Sequence, residues 1–578
     1  MSLRRVAVLP LAMKEFPFGT LSTTEQRVAQ VKARYSGVRH LHRRQPQAPA
    51  PDERPAIFAA VGLPQTVDRV VCTVLEPERA TIEMSPSQVQ WDLFNWAYYQ
   101  TWQGTLPAYD GGTVVRYVIH AHPSGDGPPV AADEGQIFSY LVGRHEPPAW
   151  SREAVIYQVF PDRFYPGEGR SWRRASTLSD IHGGTIRGIT ERLEYVADLG
   201  FNCIWLNPFF PDETHHGYHA TDYFKVDPGL GTLDDIRELV QEAHARGIRV
   251  LLDFVANHWG RGHPTFQEAI RDRHSPYHDW YYWLDWPEEY RTFFGVRDLP
   301  KVNVDHGPAR QYMLRAADFW LREIDFDGYR LDYALGPSHD FWTDFRVTVR
   351  KAKPDAWIFG EVVETPPVQL SYLGLLDGTL DFLLMQALRN TFAFGTMDVA
   401  AFDAFLTLHE TYFPTHFSRP SFLDNHDFNR FLWAAEGDKR RLKLAALCQF
   451  TLSGPPIVYY GTEVGLSQER DIVQGERGHI MEEARLPMLW DGEQDSQLRD
   501  YYTWLIHFRH EHPVLWSGDR ETLHVDAASG TYAYRRYDGE QSVTVALNAS
   551  DETHRFQAGG LSFDLDAWSG DVRSESSA

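Results

Sequence analysis

The sequence contains little cysteine. Cys72, Cys203 and Cys448 are the three cysteines in 578 residues, and they lie far apart. This number and spacing exclude a disulfide framework and the paired spacing of a zinc site. Cys203 and Cys448 lie in apolar runs, so we expect them to be buried free thiols.

Long apolar runs are also missing, and basic residues are outnumbered by acidic ones. No segment approaches the length that a membrane span needs, so we expect no membrane partner. The net charge of −23 argues against nucleic acid or an anionic membrane as the main partner. Pro10 and Lys14 interrupt the short apolar run near the N-terminus. The sequence therefore predicts a cytoplasmic protein without a signal peptide.

Three kinds of catalytic motif are absent as well. The chain has no long Gly-rich phosphate loop, no HExxH and no paired-histidine metal motif. These absences argue against a phosphate-loop nucleotide enzyme and against a zinc protease. Aromatic residues, in contrast, are plentiful at 14% of the chain. Most of them must fill cores, although Trp and Tyr also suit ligands with flat apolar faces, such as sugars.

The pattern along the chain predicts three domains. Residues 1–145 are predicted to hold a basic, solvated arm (1–44), a linker (43–56) and a β-sandwich, because short β-like runs follow the Pro-rich stretch. From residue 150 to 512, apolar strands alternate with amphipathic helices, which is typical of a parallel sheet covered by helices. The remaining residues, 513–578, are β-like and predict a C-terminal β-sandwich domain.

The central region supplies eight strand candidates, and that number predicts a (β/α)8 barrel. The longest gap follows the third strand and is rich in Trp, Tyr, His and Pro, so residues 259–305 are predicted to form an inserted subdomain. The candidates are AVIYQVF, FNCIWLNPFF, RVLLDFVANH, GYRLDYA, WIFGEVV, GTLDFLLMQAL, SRPSFLDNHD and PPIVYYGTEVG.

Polar residues follow several of these strands at the end where barrel enzymes carry their chemistry. They are Asp253, Asn257, His258, Arg330, Asp332, Glu361, Asp424, His426 and Asp427. Buried carboxylates are costly unless they are paired or used, so one such residue could be a structural ion pair. Carboxylates at four strand ends of one rim favour catalysis. Cleavage of a glycosidic bond requires two carboxyl groups that flank the acetal carbon.

Short motifs show a resemblance at this point. The chain resembles the α-amylase family, glycoside hydrolase family 13, over roughly residues 150–510. The motifs that carry the resemblance, in chain order, are GFNCIWLNP (200–208), DFVANH (253–258), LPKVN (299–303), GYRLD (328–332), FGEV (359–362), FLDNHD (422–427) and GPPIVYYGTEVG (454–465).

The resemblance implies a role for each carboxylate. Asp332 is implied to be the nucleophile, and Arg330 beside it keeps it ionised. Glu361 is implied to be the general acid and then the general base, with a raised pKa. Asp427 is implied to bind sugar hydroxyls and to stabilise the transition state.

Further residues are implied to bind the same sugar. His258 and His426 are expected to donate hydrogen bonds to it, and Tyr218 is expected to stack beneath it, with His216 as a neighbouring donor. Asp253 is expected to organise the end of the third strand. The structural alternative is that these are ordinary buried histidines, a core aromatic and a structural carboxylate.

The form LPKVN and a β domain before the barrel resemble the group of cyclomaltodextrinases, neopullulanases and maltogenic amylases. This implies a retaining hydrolase of α-1,4 bonds in maltodextrins, cyclodextrins or pullulan, with a homodimer through the N-terminal domain. An α-glucosidase, a glucanotransferase and a non-catalytic glycan-binding barrel stay open as alternatives. No cofactor is required, and a structural calcium near Asn257 is a further alternative. The nucleophile is followed by YALG, where the group has Val-Ala-Asn-Glu, which leaves product size open.

Overall fold

The computed structural model describes residues 24–62, 66–125, 127–472, 474–475, 478–479 and 481–576. Residues 1–23 of the predicted basic arm lie outside these ranges. Within them, residues 24–44 are not a solvated arm: Thr24–Ala33 is a helix, and Arg44 is buried, with its guanidinium 4.3 Å from the Tyr140 ring. The predicted arm is therefore wrong over this part of the chain.

The predicted linker is also packed against its surroundings. Arg44–Gln45 pairs antiparallel with Ala56–Val61. Arg44 donates to the backbone oxygen of Gln47 through Nε at 3.0 Å and Nη2 at 2.6 Å. The Gln47 side chain in turn donates to the backbone oxygen of Ser371 in the barrel, 3.2 Å away. Composition suggested a free linker, but these hydrogen bonds fix the segment between two structural units.

The N-terminal region is a sheet of nine described strands whose pairs are all antiparallel. Its longest strand is Ala80–Asp92. The first half of this strand pairs with Val67–Glu76, and the second half pairs with Ala97–Thr105. A register shift at Pro86 marks the change, as expected for a proline within a strand. The strands are Val38–Arg39, Arg44–Gln45, Ala56–Val61, Val67–Glu76, Ala80–Asp92, Ala97–Thr105, Val114–Pro123, Val130–Ala131 and Phe138–Leu141.

The central region forms a parallel sheet of eight described strands, which we call barrel strands 1 to 8. Strands 1 to 6 pair in chain order, strand 8 lies beside strand 1, and strand 7 lies beside strand 8. A parallel bridge between Gly378 and Ser418 joins strand 6 to the segment before strand 7 and closes the barrel. The strands are Ile156–Val159, Cys203–Leu206, Arg249–Val255, Gly328–Asp332, Trp357–Gly360, Gly378–Thr379, Ser421–Phe422 and Pro456–Tyr459.

The sixth predicted strand is much shorter than its sequence suggested. Only Gly378–Thr379 is strand, and Phe382–Leu388 is a helix. The Asp381 side chain accepts from the Leu384 backbone N–H at 3.0 Å and so caps this helix. A short segment that is apolar on all sides fits a buried strand or a buried helix equally well. For Phe382–Leu388, the cap at Asp381 favours the helix.

Helices surround the barrel because each carries an apolar face. In Leu233–Ala245 the buried residues Ile236, Leu239, Val240 and Ala243 recur at helical spacing, and Thr232 and Asp235 form a capping box at its start. The helices are Pro161–Phe164, Ile186–Glu191, Leu193–Asp198, Leu233–Ala245, Pro264–Ala269, Gly307–Arg322, His339–Ala352, Pro366–Leu370, Phe382–Leu388, Val399–Tyr412, Phe431–Ala434, Lys439–Thr451, Ser496–Glu511 and Val514–Ser517. In the part of the chain that the structure describes, no helix has the length and apolar content to cross a bilayer.

Residues 259–305 leave the barrel after strand 3. They contain the helix Pro264–Ala269 and a small antiparallel pair, Trp283–Asp285 with Glu289–Tyr290. Aromatic rings pack this segment: the Phe266 and Tyr281 centroids are 4.8 Å apart.

The C-terminal region is a β unit, as the sequence predicts. Its main sheet consists of Asp519–Asp526, Thr531–Tyr537, Gln541–Asn548 and Ser569–Ser576, and His554–Ala558 pairs with Leu561–Leu565. Tyr532 and Tyr534 belong to the same hydrophobic cluster as the barrel helices. The N-terminal sheet, in contrast, has a hydrophobic cluster of its own.

Candidate active site

The register of the barrel strands brings the predicted polar residues together. Asp253 in strand 3 lies directly beside Arg330 in strand 4, and Val255 lies beside Asp332. Glu361 follows the end of strand 5, which is paired with strand 4. Because parallel strands end at one rim, these side chains converge there.

Arg330 is the centre of the cluster and is fully buried. Its Nη1 lies 2.7 Å from Asp253 Oδ1 and 2.9 Å from Asp332 Oδ1, and its Nη2 lies 3.0 Å from Glu361 Oε2. One guanidinium therefore contacts three carboxylates, and the fixed fork of arginine suits this arrangement. The Trp205 ring packs 5.1 Å from the same guanidinium.

Asp332 offers one free carboxylate oxygen. Oδ1 accepts from Arg330, whereas Oδ2 is buried and has no hydrogen-bond partner among the described residues. Burial raises the pKa of Asp332 well above its ordinary value; Arg330 opposes this, and the carboxylates of Glu361, Asp253 and Asp427 add to it. Arg330 thus acts toward the ionised form of Asp332, the direction that the resemblance implies, but burial outweighs it, and the neighbouring carboxyl groups titrate as a cluster.

Glu361 is held by the chain that follows Asp332. Its Oε2 accepts the backbone N–H of Tyr333 at 3.0 Å. Burial raises the pKa of Glu361, Arg330 opposes this, and Asp427 raises it further. A raised pKa is the property that a general acid needs near neutral pH.

The Tyr218 hydroxyl joins Asp253 to His426. Tyr218 Oη donates to Asp253 Oδ2 at 2.9 Å and lies 2.6 Å from His426 Nε2, and the Asn207 side chain donates to it at 2.9 Å. Gln158 Nε2 lies 2.8 Å from His426 Nδ1, so Nδ1 accepts and Nε2 carries the proton. The N–H of His426 thus faces Tyr218, the two rings are stacked 5.5 Å apart, and burial lowers the pKa of His426 well below its ordinary value.

Asp427 is paired with an arginine outside the predicted set. Arg485 Nη2 donates to Asp427 Oδ1 at 3.0 Å, and Arg485 Nε donates to the backbone oxygen of His426 at 2.8 Å. His426 Nε2 lies 3.3 Å from Asp427 Oδ2. Arg485 therefore holds the Asp427 carboxylate and the backbone beside it in one orientation.

His258 and His216 lie beside this cluster. Asn257 Nδ2 donates to His258 Nδ1 at 3.1 Å, and the His258 ring stacks on Phe293 at 4.4 Å. Burial lowers the pKa of His258 to about 3, so the ring is neutral. His216 Nδ1 accepts the backbone N–H of Tyr218 at 3.1 Å, and its contact in this structure is therefore with the loop.

The region near Asn257 was tested for the oxygen ligands that a cation needs. Asn257 Oδ1 is buried without a hydrogen-bond partner. Among the described residues, no group of three or more His, Cys, Asp or Glu is arranged to hold a metal ion. Calcium takes six to eight oxygen ligands, mostly from carboxylates and carbonyls. The residues present do not fit a calcium site built on carboxylates.

Sequence reasoning missed four side chains that contact the cluster: Gln158, Trp205, Asn207 and Arg485. Trp205 Nε1 donates to Asp253 Oδ2 at 3.1 Å, although it also packs in a core. Trp205 and Asn207 are two apart at the end of strand 2, and this spacing was a usable signal. Arg485 lies in a loop far along the chain, and no local pattern marks it.

Comparisons with known proteins agree with this geometry. The model of the α-amylase catalytic domain matches residues 158–512. "Alpha-amylase 2" of Dictyoglomus thermophilum is 40% identical over 436 residues, which cover 75% of this chain and 76% of that protein. A "Cyclomaltodextrinase" of a Bacillus species is 36% identical over 428 residues, 71% of this chain and 75% of that protein. A solved "Cyclomaltodextrinase" structure superposes with a TM-score of 0.68 at 29% identity, and the match covers 90% of this chain and 92% of that one.

A parallel eight-stranded barrel with carboxylates clustered at the carboxyl end of its strands defines a barrel glycoside hydrolase. The chain belongs to the α-amylase family of glycoside hydrolases.

Proposed function

We propose that the chain is a retaining α-glucan hydrolase that cleaves α-1,4 bonds in maltodextrins, cyclodextrins or pullulan. One observation carries the proposal: Arg330 contacts both Asp332 and Glu361 through the two arms of one guanidinium. Retaining enzymes keep their two carboxyl groups close together, whereas inverting enzymes need room for a water between them. Two carboxylates on one guanidinium favour the retaining arrangement.

In the first step, Glu361 donates its proton to the glycosidic oxygen while Asp332 Oδ2 attacks the anomeric carbon. The bond to the leaving sugar breaks, the leaving sugar departs with a new hydroxyl group, and the donor sugar is bound covalently to Asp332. Glu361 is now a carboxylate. In the second step it removes a proton from water, the water oxygen bonds to the anomeric carbon, and the ester to Asp332 breaks. Two inversions restore the α configuration.

Asp427, with Arg485 behind it, binds hydroxyls of the sugar at the cleavage point in this proposal. Asp253 accepts hydrogen bonds from Arg330 and from the Tyr218 hydroxyl. The Tyr218 ring provides the face on which the sugar stacks in this proposal. His258 and His216 are neutral and would donate to the sugar in this proposal, whereas His426 already directs its N–H at the Tyr218 hydroxyl and would position Tyr218 instead. No step uses a metal or a cofactor.

We also propose the domain arrangement that the sequence indicates. Residues 1–145 would be an N-terminal β-sandwich domain, 150–512 the catalytic barrel with the inserted subdomain 259–305, and 513–578 the C-terminal domain. A separate N-terminal hydrophobic cluster supports the first boundary. We propose a homodimer through this domain, because Trp91 and Trp96 lie exposed on it; a monomer in analytical ultracentrifugation would contradict it. The cytoplasmic location stays a prediction.

The test is the variant Glu361→Gln, which removes the proton donor and nearly preserves its shape. General acid catalysis contributes about 10²–10⁴-fold, so kcat on maltoheptaose should fall by that factor. Glu194→Gln is the matched control, because this glutamate is exposed and, among the described residues, forms its ion pair with Arg246 on the surface.

Near-normal turnover by Glu361→Gln would show that the acid is assigned wrongly. Products from maltoheptaose, β-cyclodextrin and pullulan, separated by chromatography, then define the substrate. Release of glucose alone from chain ends would favour the α-glucosidase alternative, and products longer than the substrate would favour the glucanotransferase.

A further inference from the structure

The backbone after Asp332 departs from the regular ladder between barrel strands 4 and 5. The Glu361 N–H donates to the backbone oxygen of Leu331 at 2.8 Å, as a parallel ladder requires. In a regular ladder the Tyr333 N–H would then donate to the backbone oxygen of Glu361. That oxygen instead accepts the Ala334 N–H at 3.0 Å. Tyr333 is therefore an extra residue in the ladder, like the residue that a bulge inserts, and its N–H has no backbone partner there.

The N–H of Tyr333 donates to the side chain of the acid instead. Its partner is Glu361 Oε2, 3.0 Å away, and the same oxygen lies 3.0 Å from Arg330 Nη2. Among the described residues, no hydrogen bond reaches the other carboxyl oxygen, Oε1. A protonated carboxyl group carries one O–H, and a proton on Oε2 would face two donors. The geometry therefore favours the proton of Glu361 on Oε1.

The direction of this N–H depends on an unfavourable backbone conformation. Tyr333 has a φ of 36°, in the left-handed region that residues with a Cβ rarely adopt. Such a conformation persists only where the surroundings impose it. The next residue is fixed, because the backbone oxygen of Ala334 accepts from Trp342 Nε1 at 2.9 Å and from the Tyr372 hydroxyl at 3.0 Å. The strain at Tyr333 is therefore not released on its C-terminal side.

Two rings of the segment 259–305 hold the side chain of Tyr333. The Phe293 centroid lies 5.0 Å and the Phe294 centroid 5.1 Å from the Tyr333 ring, both edge to face. This is a preferred arrangement of aromatic pairs. Phe293 also stacks on the His258 ring at 4.4 Å. The two phenylalanines, which we call the ring clamp, thus connect the inserted segment to the backbone that contacts the acid.

We propose that Tyr333 is a positioning residue for the catalytic acid: its left-handed backbone, held by the ring clamp, directs an N–H at Glu361 Oε2 and leaves Oε1 to donate the proton. The inference rests on the proposed function, in which Glu361 is the acid. In the first step the proton on Oε1 passes to the glycosidic oxygen, and the negative charge spreads to Oε2, where the N–H and the guanidinium already lie. In the second step Oε1 takes a proton from water.

The sign of the pH dependence follows from this hydrogen bond. Burial raises the pKa of Glu361, and the N–H of Tyr333 opposes this because it stabilises the carboxylate. Loss of the bond raises that pKa further, so the acid stays protonated to higher pH. The other groups whose charges act on this site stay in place when position 333 becomes Ala or Gly, apart from the Tyr333 hydroxyl, which both variants lack. They are Arg330, Asp332, Asp253 and Asp427.

The experiment compares Tyr333→Ala with Tyr333→Gly. Both variants lack the ring and keep the N–H, but only glycine adopts a left-handed backbone without strain. In Tyr333→Ala we expect the descending limb of kcat/KM against pH on maltoheptaose to move up by about one pH unit, as for a lost hydrogen bond to a charged group. The misaligned acid should also lower kcat at the optimum about tenfold. In Tyr333→Gly the limb should stay at the parent position.

Two further variants separate the ring clamp from the residue that it holds. Tyr333→Phe keeps the ring and should give the profile of the parent. Phe294→Ala removes one clamping ring without a change at position 333, and it should move the limb in the same direction by less. Leu284→Ala is the matched control for Phe294→Ala, because Leu284 is an exposed apolar residue of the same segment.

A descending limb at the parent position in Tyr333→Ala would overturn the inference. Equal shifts in Tyr333→Ala and Tyr333→Gly would also overturn it, because the ring rather than the backbone conformation would then act on the acid. Should Tyr333→Ala fail to fold, Phe294→Ala provides the test, and a profile equal to that of Leu284→Ala would contradict the ring clamp. Turnover retained by Glu361→Gln would refute the proposed function instead, since the acid would then be another residue.

Discussion

Arg330 allows a quantitative test of how the catalytic rim is held together. Arg330→Met keeps most of the side-chain volume but removes the charge that contacts Asp253, Asp332 and Glu361. Removal of one partner from a buried ion pair costs about 3–5 kcal/mol, because the remaining charge is left uncompensated. We expect a loss of this size in the free energy of unfolding near neutral pH, together with loss of activity.

The sign of the pH dependence follows from the same contacts. Arg330 lowers the pKa of each of the three carboxyl groups, so its removal raises all three. The folded variant then binds more protons than the folded parent at a given pH, and its stability relative to the parent falls as pH rises. In the parent, Asp253 has a pKa of about 6 because burial outweighs Arg330. The loss should therefore be smallest below that pH and largest above it.

The assay is urea unfolding at several pH values, with kcat measured on maltodextrin. Arg330→Lys is the companion variant, because lysine keeps the charge but cannot reach three carboxylates with one rigid fork. It should regain part of the stability and little of the activity. Equal stability of Arg330→Met and the parent above neutral pH would refute the reasoning.

Two further predictions concern the hydroxyl at the centre of the hydrogen-bond network and the buried histidines. Tyr218→Phe leaves Asn207 and His426 without their shared oxygen. An unsatisfied buried group costs about 1–3 kcal/mol, so we expect the free energy of unfolding in urea to fall by about that amount; parent-like stability would show that the network is dispensable. His40 and His258 have pKa values lowered to about 3 by burial, so they stay neutral in the folded chain but bind protons once unfolded. Each histidine should lower the stability as pH drops from about 6.5 toward about 3, by of order 2 kcal/mol at pH 5. Buried carboxyl groups with raised pKa values, such as Asp253, act in the opposite direction over this range, so the free energy of unfolding is compared between the parent and His40→Gln at pH 7 and pH 5. An equal change with pH in both proteins would contradict this.

The convergence of polar residues at the barrel rim could be predicted because these residues follow from two local rules. Asp253, Arg330 and Asp332 lie at the ends of apolar strands, and side chains two apart on a strand share a face. Parallel strands then bring those ends to one rim without any knowledge of the loops. The barrel itself was predictable for the same reason, since strand and helix periodicities alternate clearly.

Other features depend on contacts that no local pattern encodes. Arg485 reaches Asp427 across a distance of 58 positions in the chain. Only the first half of the strand Ala80–Asp92 alternates; from Ser85 to Trp91 every residue is exposed, so its second half lacks the alternation that marks a half-buried strand. The segment 24–44 looked like a solvated arm because charge alone does not reveal hydrogen-bond partners: Arg44 bonds to the nearby Gln47 backbone, and Gln30 and Arg34 bond to the barrel loop at Glu364 and Thr365.

The two β units differ in how they could have been acquired or exchanged during evolution. The N-terminal sheet has a hydrophobic cluster of its own, so a replacement that preserves its outer contacts would leave the barrel core complete. The C-terminal sheet shares its core with the barrel: the Tyr534 hydroxyl lies 2.5 Å from Thr451 Oγ1, and Arg520 bonds to Asp403 at 2.9 Å. A foreign C-terminal domain would expose that surface. The C-terminal unit is therefore joined to the barrel helices through a shared apolar core, whereas the N-terminal unit is joined to the barrel through hydrogen bonds and ion pairs, such as that of Arg116 with Asp340.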